Sequence, residues 1–341
     1  MPINSNHQIL IFTIKNKHPI ALEEIKAILE SLRAQVKFDR IERGLVLLKT
    51  DLKTALILSQ RASLIKYVGL LLGSTCDEAI EKLVKLIKEA ANESLPFSFS
   101  ILTSDFSKID KMASKIRRVF RNSYVNLDNP LIPIEIMKLE ENSFILIPLR
   151  SSRLDITRYQ PQYRPYAPSA TMDAEISRLI VNLTRCNYAD IFLDPFCGSG
   201  SILLEASRIG CYTLGLDINP RLVYGAQFNF QSLLHDDANV VIGDASRMPF
   251  QDDSIDAIGT DPPYGRSALV IGKNLKDLYR AFLQESYRVL RRRKHICFCA
   301  PLEMRDYLNS LIREIGFEKR TQFAMKVHKG LTRLITVLFV P

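Results

Sequence analysis

Residues 191–206 read IFLDPFCGSGSILLEA, and this stretch decides the fold. An apolar run ends at Asp194, a turn carries Gly198 and Gly200, and a helix-forming run starts at Ser201. Glycines in such a turn let the backbone approach a ligand closely, because no Cβ intervenes. Working outward, the rest of the C-terminal half alternates between strand and helix patterns. Strands are expected at 190–194, 212–217, 239–244, 254–261 and 294–300, with a closing hairpin of 318–327 and 331–340. Helices are expected between them, at 201–209, 221–234, 274–290 and 303–315. Strands that alternate with helices build a parallel, doubly wound α/β sheet, and the hairpin adds an antiparallel strand to it.

In such a sheet, ligands bind beyond the carboxyl ends of the strands, where the strand order reverses. Acidic residues stand at four successive strand ends: Asp194, Asp217, Asp244 and Asp261. Asp217 is placed to accept both hydroxyls of a ribose, and Asp244 to accept from an adenine amino group. A dinucleotide site needs a third glycine opening the helix, and Leu203 occupies that register, which disfavours NAD. S-Adenosylmethionine fits better. Its candidate contacts are Asp194, Pro195, Phe196, Cys197, Gly198, Ser199, Gly200, Asp217, Ile218, Asp244 and Ala245, with Tyr166 closing over the cofactor or base.

The fourth strand runs into Asp261-Pro262-Pro263-Tyr264-Gly265, 67 residues after Asp194. The exocyclic amine of a base is a poor nucleophile, since its lone pair is delocalised into the ring. Two acceptors aimed at its N–H bonds favour a more tetrahedral, reactive nitrogen. The Asp261 carboxylate and the Pro262 carbonyl supply them. Consecutive prolines hold the loop extended and stiff, and Tyr264 offers a ring on which an extruded base can stack. The expected catalytic set is therefore Asp261, Pro262, Pro263 and Tyr264.

The 341 residues suggest two domains, and no stretch of the sequence is apolar enough to span a bilayer. The polar N-terminus lacks a signal-peptide layout, which points to the cytoplasm. Six cysteines without a CxxC pair read as reduced core residues rather than a metal site or disulfides, and no metal is expected. Residues 1–150 hold 22 Lys/Arg against 17 Asp/Glu and residues 151–341 hold 24 against 20, so both halves carry a modest positive excess. That balance suits a polyanionic partner met by both domains. In the N-terminal half, strand, helix, hairpin and helix follow one another over residues 1–75, as in a ferredoxin-like unit. A second unit covers 76–150, and residues 151–169, with three prolines and no apolar periodicity, form a linker to a domain of 170–341.

Lys108, Lys111, Lys115, Arg118 and Arg121 recur at helical spacing over residues 107–121, giving a basic face suited to phosphates. Arg153, Arg158 and Arg164, interleaved with tyrosines in the linker, extend the RNA-contact set. Residues 291–294, Arg-Arg-Arg-Lys, read as the end of a helix, where cations favour the helix dipole.

Residues 170–341 resemble the Rossmann-like amino-methyltransferases through two motifs, DPFCGSG and DPPY. Members acting on DNA adenine, RNA guanine and protein glutamine share the second motif. Residues 1–150 are similar to a ferredoxin-like unit followed by a THUMP domain, an RNA-binding module, through RASLIKYVGLLLG (61–73), the basic helix and VNLDNP (125–130). With RPYAPS (164–169) and HKGLTR (328–333), the whole resembles the archaeal tRNA guanosine-10 N2-methyltransferases. The resemblance implies methyl transfer to a guanine N2 in tRNA, in one or two steps, with tRNA and an accessory subunit as partners. A DNA amino-methyltransferase and a silent RNA-binding protein are the competing readings; the THUMP-like half argues against the first and the intact aspartates against the second.

Overall fold

A computed structural model describes residues 7–14, 17–42, 44–90, 97–103, 107–139, 142–149, 156–169, 171–264, 274–328 and 331–341. By its contacts the chain divides into two compact units, one of residues 1–21, 33–60 and 65–152, the other of 22–32, 61–64 and 153–341.

The first unit is built on one eight-stranded sheet. Its strands are β1 (His7–Thr13), β2 (Lys37–Glu42), β3 (Leu45–Thr50), β4 (Ile65–Gly73), β5 (Phe97–Thr103), β6 (Ser123–Val125), β7 (Ile132–Leu139) and β8 (Asn142–Pro148), in the order β2-β3-β1-β4-β8-β7-β5-β6. β4, rich in Val and Leu, pairs with β1 on one side and β8 on the other, so both stretches read separately from the sequence share a single sheet. In chain order the helices here are α1 (His18–Ser31), whose residues from Leu22 onward belong to the second unit, then α2 (Leu52–Arg61), α3 (Cys76–Ala90) and α4 (Ser107–Val119). α4 ends two residues before Arg121, which falls in the following turn.

The second unit carries the sheet foreseen from residues 191–206. Its strands are β9 (Ile191–Asp194), β10 (Tyr212–Asp217), β11 (Val240–Ile242), β12 (Ile255–Thr260), β13 (Leu290–Pro301), β14 (Glu318–His328) and β15 (Leu331–Phe339). Their order is β11-β10-β9-β12-β13-β15-β14, parallel from β11 to β13 and closed by the antiparallel β14–β15 pair. The helices are α5 (Ala174–Leu183), α6 (Ser201–Ser207), α7 (Pro220–Leu234), α8 (Leu275–Val289) and α9 (Arg305–Ile315). Side chains alternate across a strand. Leu193 and Ile258 therefore join Phe282, Phe298 and Leu311 in one core cluster. At Gly259, one residue along from Ile258, an added Cβ would come within 2.5 Å of Phe192 and 3.1 Å of Ile180 of α5. Among the described residues no helix is long and apolar enough to cross a membrane.

Two sequence readings change here. Helix α5 was not foreseen, although Ile176, Leu179, Ile180 and Leu183 recur at helical spacing and are buried. The Arg291–Lys294 run does not end a helix; α8 stops at Val289 and the basic run lies in β13. Its cations are largely spent internally: Arg291 donates to Asp256 at 2.7 Å, Lys294 pairs with Asp190 and Asp256, and Arg292 bonds the Tyr287 hydroxyl.

A buried polar network within the second unit also escaped the sequence reading. Glu24 accepts from Ser63 N–H and Oγ, from Leu64 N–H and from Asn182, while Arg61 donates to Asn182 and to the Cys186 carbonyl. Burying a carboxylate and a guanidinium is tolerable only with such partners.

Candidate active site

Strand order reverses between β9 and β12, which lie side by side in the sheet. The loops that leave their carboxyl ends are DPFCGSG and DPPY, so the two motifs flank one crevice mouth, where open α/β sheets hold ligands.

The first loop is tied down at every turn. The Cys197 N–H donates to the Leu216 carbonyl at 2.8 Å, and the Gly200 N–H to the Cys197 carbonyl at 2.8 Å. Gly198 has φ +53°, and a Cβ built on it would meet nothing within 4 Å, so this residue presents bare backbone to open space. Its N–H donates to Asp217 Oδ2 at 2.9 Å, and the Asn219 N–H donates to Asp217 Oδ1 at 2.9 Å. The half-buried Asp217 carboxylate is thus fixed beside the open face of Gly198. Burial pushes its carboxyl up, against the pull of those two backbone donors. The next residue, Ile218, is 53% exposed, an apolar surface at the strand end. Asp244 is half-buried and accepts from the Ser246 N–H at 2.8 Å, and Ala245 behind it is buried.

Not every expected contact points outward. Asp194 is 1% exposed, and its Oδ1 accepts from Thr260 Oγ1 at 2.6 Å and from the Phe196 N–H at 3.1 Å. Its carboxylate fastens the end of β9 to the end of β12 and is not offered to a ligand, which corrects the expectation. Burial pushes this carboxyl up to about 7. Pro195, Cys197, Ser199 and Gly200 are buried, and Phe196 packs edge-on against Phe282 with ring centroids 5.3 Å apart. The side chains of Pro195, Phe196, Cys197 and Ser199 therefore pack within the loop, and the Gly198 backbone is left open.

Tyr166 connects to this loop by a residue that the sequence reading missed. Asn229, fully buried on α7, donates to the Tyr166 carbonyl at 2.8 Å and to the Ser199 carbonyl at 2.9 Å, and accepts from the Tyr166 N–H at 3.0 Å. The Tyr166 ring lies directly on Gly225, where an added Cβ would come within 2.1 Å of it. Tyr166 is thus seated on α7, one residue removed from the loop.

In the second loop, Pro262 is buried and Asp261, Pro263 and Tyr264 are half-buried. The Tyr264 hydroxyl donates to Asp261 Oδ1. Arg333, on β15 and 9% exposed, donates from Nη2 to Asp261 Oδ2 at 3.0 Å and from Nε to the Tyr264 hydroxyl at 2.8 Å. Asp261, Tyr264 and Arg333 close a ring of hydrogen bonds. The sequence reading did not include Arg333, which the structure adds to the site. Burial pushes the Asp261 carboxyl up, and the Arg333 charge, Tyr264 and Cys299 pull it down. Gly265 lies outside the described residues.

The basic set divides. On α4, Met112 and Ile116 are buried while Lys111, Arg117 and Arg118 are exposed, as is Arg121 beyond its end. Lys115 pairs with Asp77, and Lys108 donates to Ser143 Oγ at 2.8 Å. Arg158 is exposed. Arg164 is not an RNA contact: it is 6% exposed and donates to Ser201 Oγ, to the Tyr159 carbonyl at 2.8 Å and to the Met172 carbonyl. Arg153 lies outside the described residues. All six cysteines are free and buried, and Cys186 and Cys211 approach to 3.4 Å between sulfurs. Among the described residues no group of His, Cys, Asp and Glu could hold a metal.

The family described as UPF0020, RMKL-like, methyltransferase domain, matches residues 161–335. Three archaeal proteins named tRNA (guanine(10)-N2)-dimethyltransferase are similar to the chain. That of Methanothermobacter thermautotrophicus is 38% identical over 55% of this chain and 54% of its own length. That of Pyrococcus abyssi is 27% identical over 94% and 95%, and that of Methanocaldococcus jannaschii 31% identical over 76% and 71%. Among solved structures, TrmN from Thermus thermophilus covers 98% of this chain and 100% of its own with a TM-score of 0.50 at 20% identity, a likeness of fold.

Proposed function

Because the chain belongs to the RMKL-like methyltransferase-domain family, and within it to the tRNA (guanine(10)-N2)-dimethyltransferases, we propose that it methylates the N2 amine of guanosine 10 in tRNA, using S-adenosylmethionine. The observation that carries this reading is the meeting of the two loops at the β9–β12 switch point, one presenting the bare Gly198 backbone beside Asp217, the other presenting Asp261.

The residues fit the methyl donor. Asp217, held by the Gly198 and Asn219 N–H groups, is the acceptor for ribose hydroxyls, the exposed Ile218 offers an apolar seat beside it, and Asp244 stands at the next strand end. When bound, S-adenosylmethionine supplies an electrophilic methyl group on a sulfonium, which the amine nitrogen takes with its lone pair as the S–C bond breaks. The protein's own contribution is placement. Asp261 and the Pro262 carbonyl accept the two N–H bonds of the guanine amine, turning its lone pair out of the ring, and Asp261 receives the surplus proton or hands it to solvent. Fixed acceptors of this kind lower the barrier without reorganising during the step, and a base bound in one orientation replaces a bimolecular encounter.

The exposed cations Lys111, Arg118 and Arg121, with Lys108 and Lys115 beside them in sequence and Arg158 in the linker, dock the tRNA backbone, residues 76–150 acting as a THUMP-like module after a ferredoxin-like 1–75. Phosphate contacts of this kind fix register rather than chemistry. The site of action is the cytoplasm, and an accessory subunit is an optional partner. Incubation of the chain with labelled methyl donor and unmodified tRNA, followed by nucleoside mapping, tests the reading. N2-methylated guanosine at position 10 is expected; label in DNA, at another nucleotide or nowhere overturns it.

A further inference from the structure

We propose that Arg333, from the closing hairpin, is a positioning residue of the methyl-transfer site: it grips Asp261 Oδ2 and the Tyr264 hydroxyl together and thereby decides which carboxylate oxygen meets the amine. The proposal rests on the reaction assigned above. Its geometry is direct. Nη2 takes Oδ2 at 3.0 Å and Nε takes the Tyr264 hydroxyl at 2.8 Å, so one planar guanidinium spans both groups of the DPPY loop. A planar fork with several fixed donors is suited to this task in a way that an ammonium is not. With Oδ2 committed to Arg333, only Oδ1 remains for the substrate, and the Tyr264 hydroxyl holds that oxygen until a base arrives. When the amine claims Oδ1, Arg333 Nε still retains the Tyr264 oxygen, so the loop does not lose its anchor.

The arrangement also governs the charge on Asp261. The groups that face it are Arg333 on β15, Tyr264 on its own loop, Cys299 on β13, Tyr279 on α8 and Asp194 at the end of β9. Of these Arg333 is the cation, and burial pushes the Asp261 carboxyl up while Arg333 opposes it. A protonated Asp261 would offer the amine a donor where it needs an acceptor. Removing Arg333 leaves burial less opposed, so the carboxyl must rise further and the acid limb of the pH–rate profile must move to higher pH.

Arg333→Met and Arg333→Lys test this. Single-turnover methyl transfer to tRNA is followed against pH with donor and tRNA saturating. The acid limb of Arg333→Met is expected about one pH unit or more above wild type, an approximately tenfold loss on that limb that is partly regained at alkaline pH. Arg333→Lys, which keeps the charge but not the fork, should displace it less. Donor affinity, read by calorimetry, should stay within about twofold, since this network does not reach Asp217. A rate that falls by one factor at every pH, with the limb unmoved, overturns the proposal, as does a wild-type limb in folded Arg333→Lys should Arg333→Met fail to fold. The carboxyl carbon resonance of Asp261 reports the same titration without substrate. If wild-type protein methylates no guanosine, the assigned reaction falls, and this resonance still decides whether Arg333 sets the charge of Asp261: an upward displacement in Arg333→Met, or in Arg333→Lys should Arg333→Met fail to fold, upholds it, and an unmoved resonance in that variant overturns it.

Discussion

Two neighbouring strands of the sheet run out into the same dipeptide, Asp194-Pro195 at the end of β9 and Asp261-Pro262 directly after β12, and the two aspartates do different work. Asp194 is sealed, its oxygen shared between the Thr260 hydroxyl and the Phe196 N–H. Asp261 is half-buried, and its partners are a tyrosine hydroxyl on its own loop and an arginine from the last strand. The difference lies in exchangeability. Thr260 Oγ1 and the Phe196 N–H are parts of the frame, so nothing can displace them without undoing the loop. The Tyr264 hydroxyl sits on a side chain that retains a second partner, so an incoming amine can replace it. A strand-end carboxylate becomes a reactive-site group when one of its hydrogen bonds can be traded for a ligand's.

The comparison breaks if Asp261 proves dispensable. Asp261→Ala should lower single-turnover methyl transfer by about a hundred- to ten-thousandfold with donor affinity unchanged, the range expected for a lost acid–base or acceptor group. Near-normal rates would remove it from the chemistry. A smaller effect sharpens the other side of the site. Asp217→Ala should weaken donor binding roughly 10- to 100-fold by calorimetry, as loss of charge-assisted hydrogen bonds implies, with the melting temperature little altered. Unchanged affinity in a folded variant would show that the first loop holds the donor without this carboxylate.

The RNA face should respond more weakly. Changing Lys111, Arg118 and Arg121 together to Ala should raise KM for tRNA about tenfold and flatten the salt dependence of binding by up to about three units of slope, leaving turnover intact. Lys115→Ala should do less, since Asp77 already neutralises that cation. Equal effects would mean the Lys115–Asp77 pair opens on binding. For Asp194 the expected effect falls on stability rather than on methyl transfer. Its carboxyl is raised from 3.8 to about 7 in the folded chain, so the stability it confers is complete below about pH 4 and lost progressively by about pH 7. Thermal melts of Asp194→Asn should lack that part of the slope; a slope identical to wild type would place the titration elsewhere.

Much of this was legible in the sequence because it is local. The strand, turn and helix of residues 191–206 follow from a short apolar run, two glycines and a helix-forming stretch, and Asp217, Asp244 and Asp261 announce themselves by ending strands. The rest depends on partners distant along the chain. Asp261 meets Arg333 across 72 positions, and Tyr166 meets Asn229 across 63. No period in the sequence marks either pairing. Arg164 looked like a surface cation among tyrosines, yet Ser201 and two carbonyls satisfy it in the interior. The basic run at 291–294 misled for a similar reason: acidic partners at Asp190 and Asp256 draw it into β13, overriding the preference for a helix end.

The central claim is that the two strand-end aspartates differ in kind, and isosteric amides test it most directly. Asp194→Asn and Asp261→Asn are compared in one single-turnover assay, with equal donor and unmodified tRNA. The expected result is methyl transfer near the wild-type rate in the first, since an amide oxygen still accepts from Thr260 and Phe196, and loss of transfer in the second. Equal loss in both, or an active Asp261→Asn protein, would contradict it.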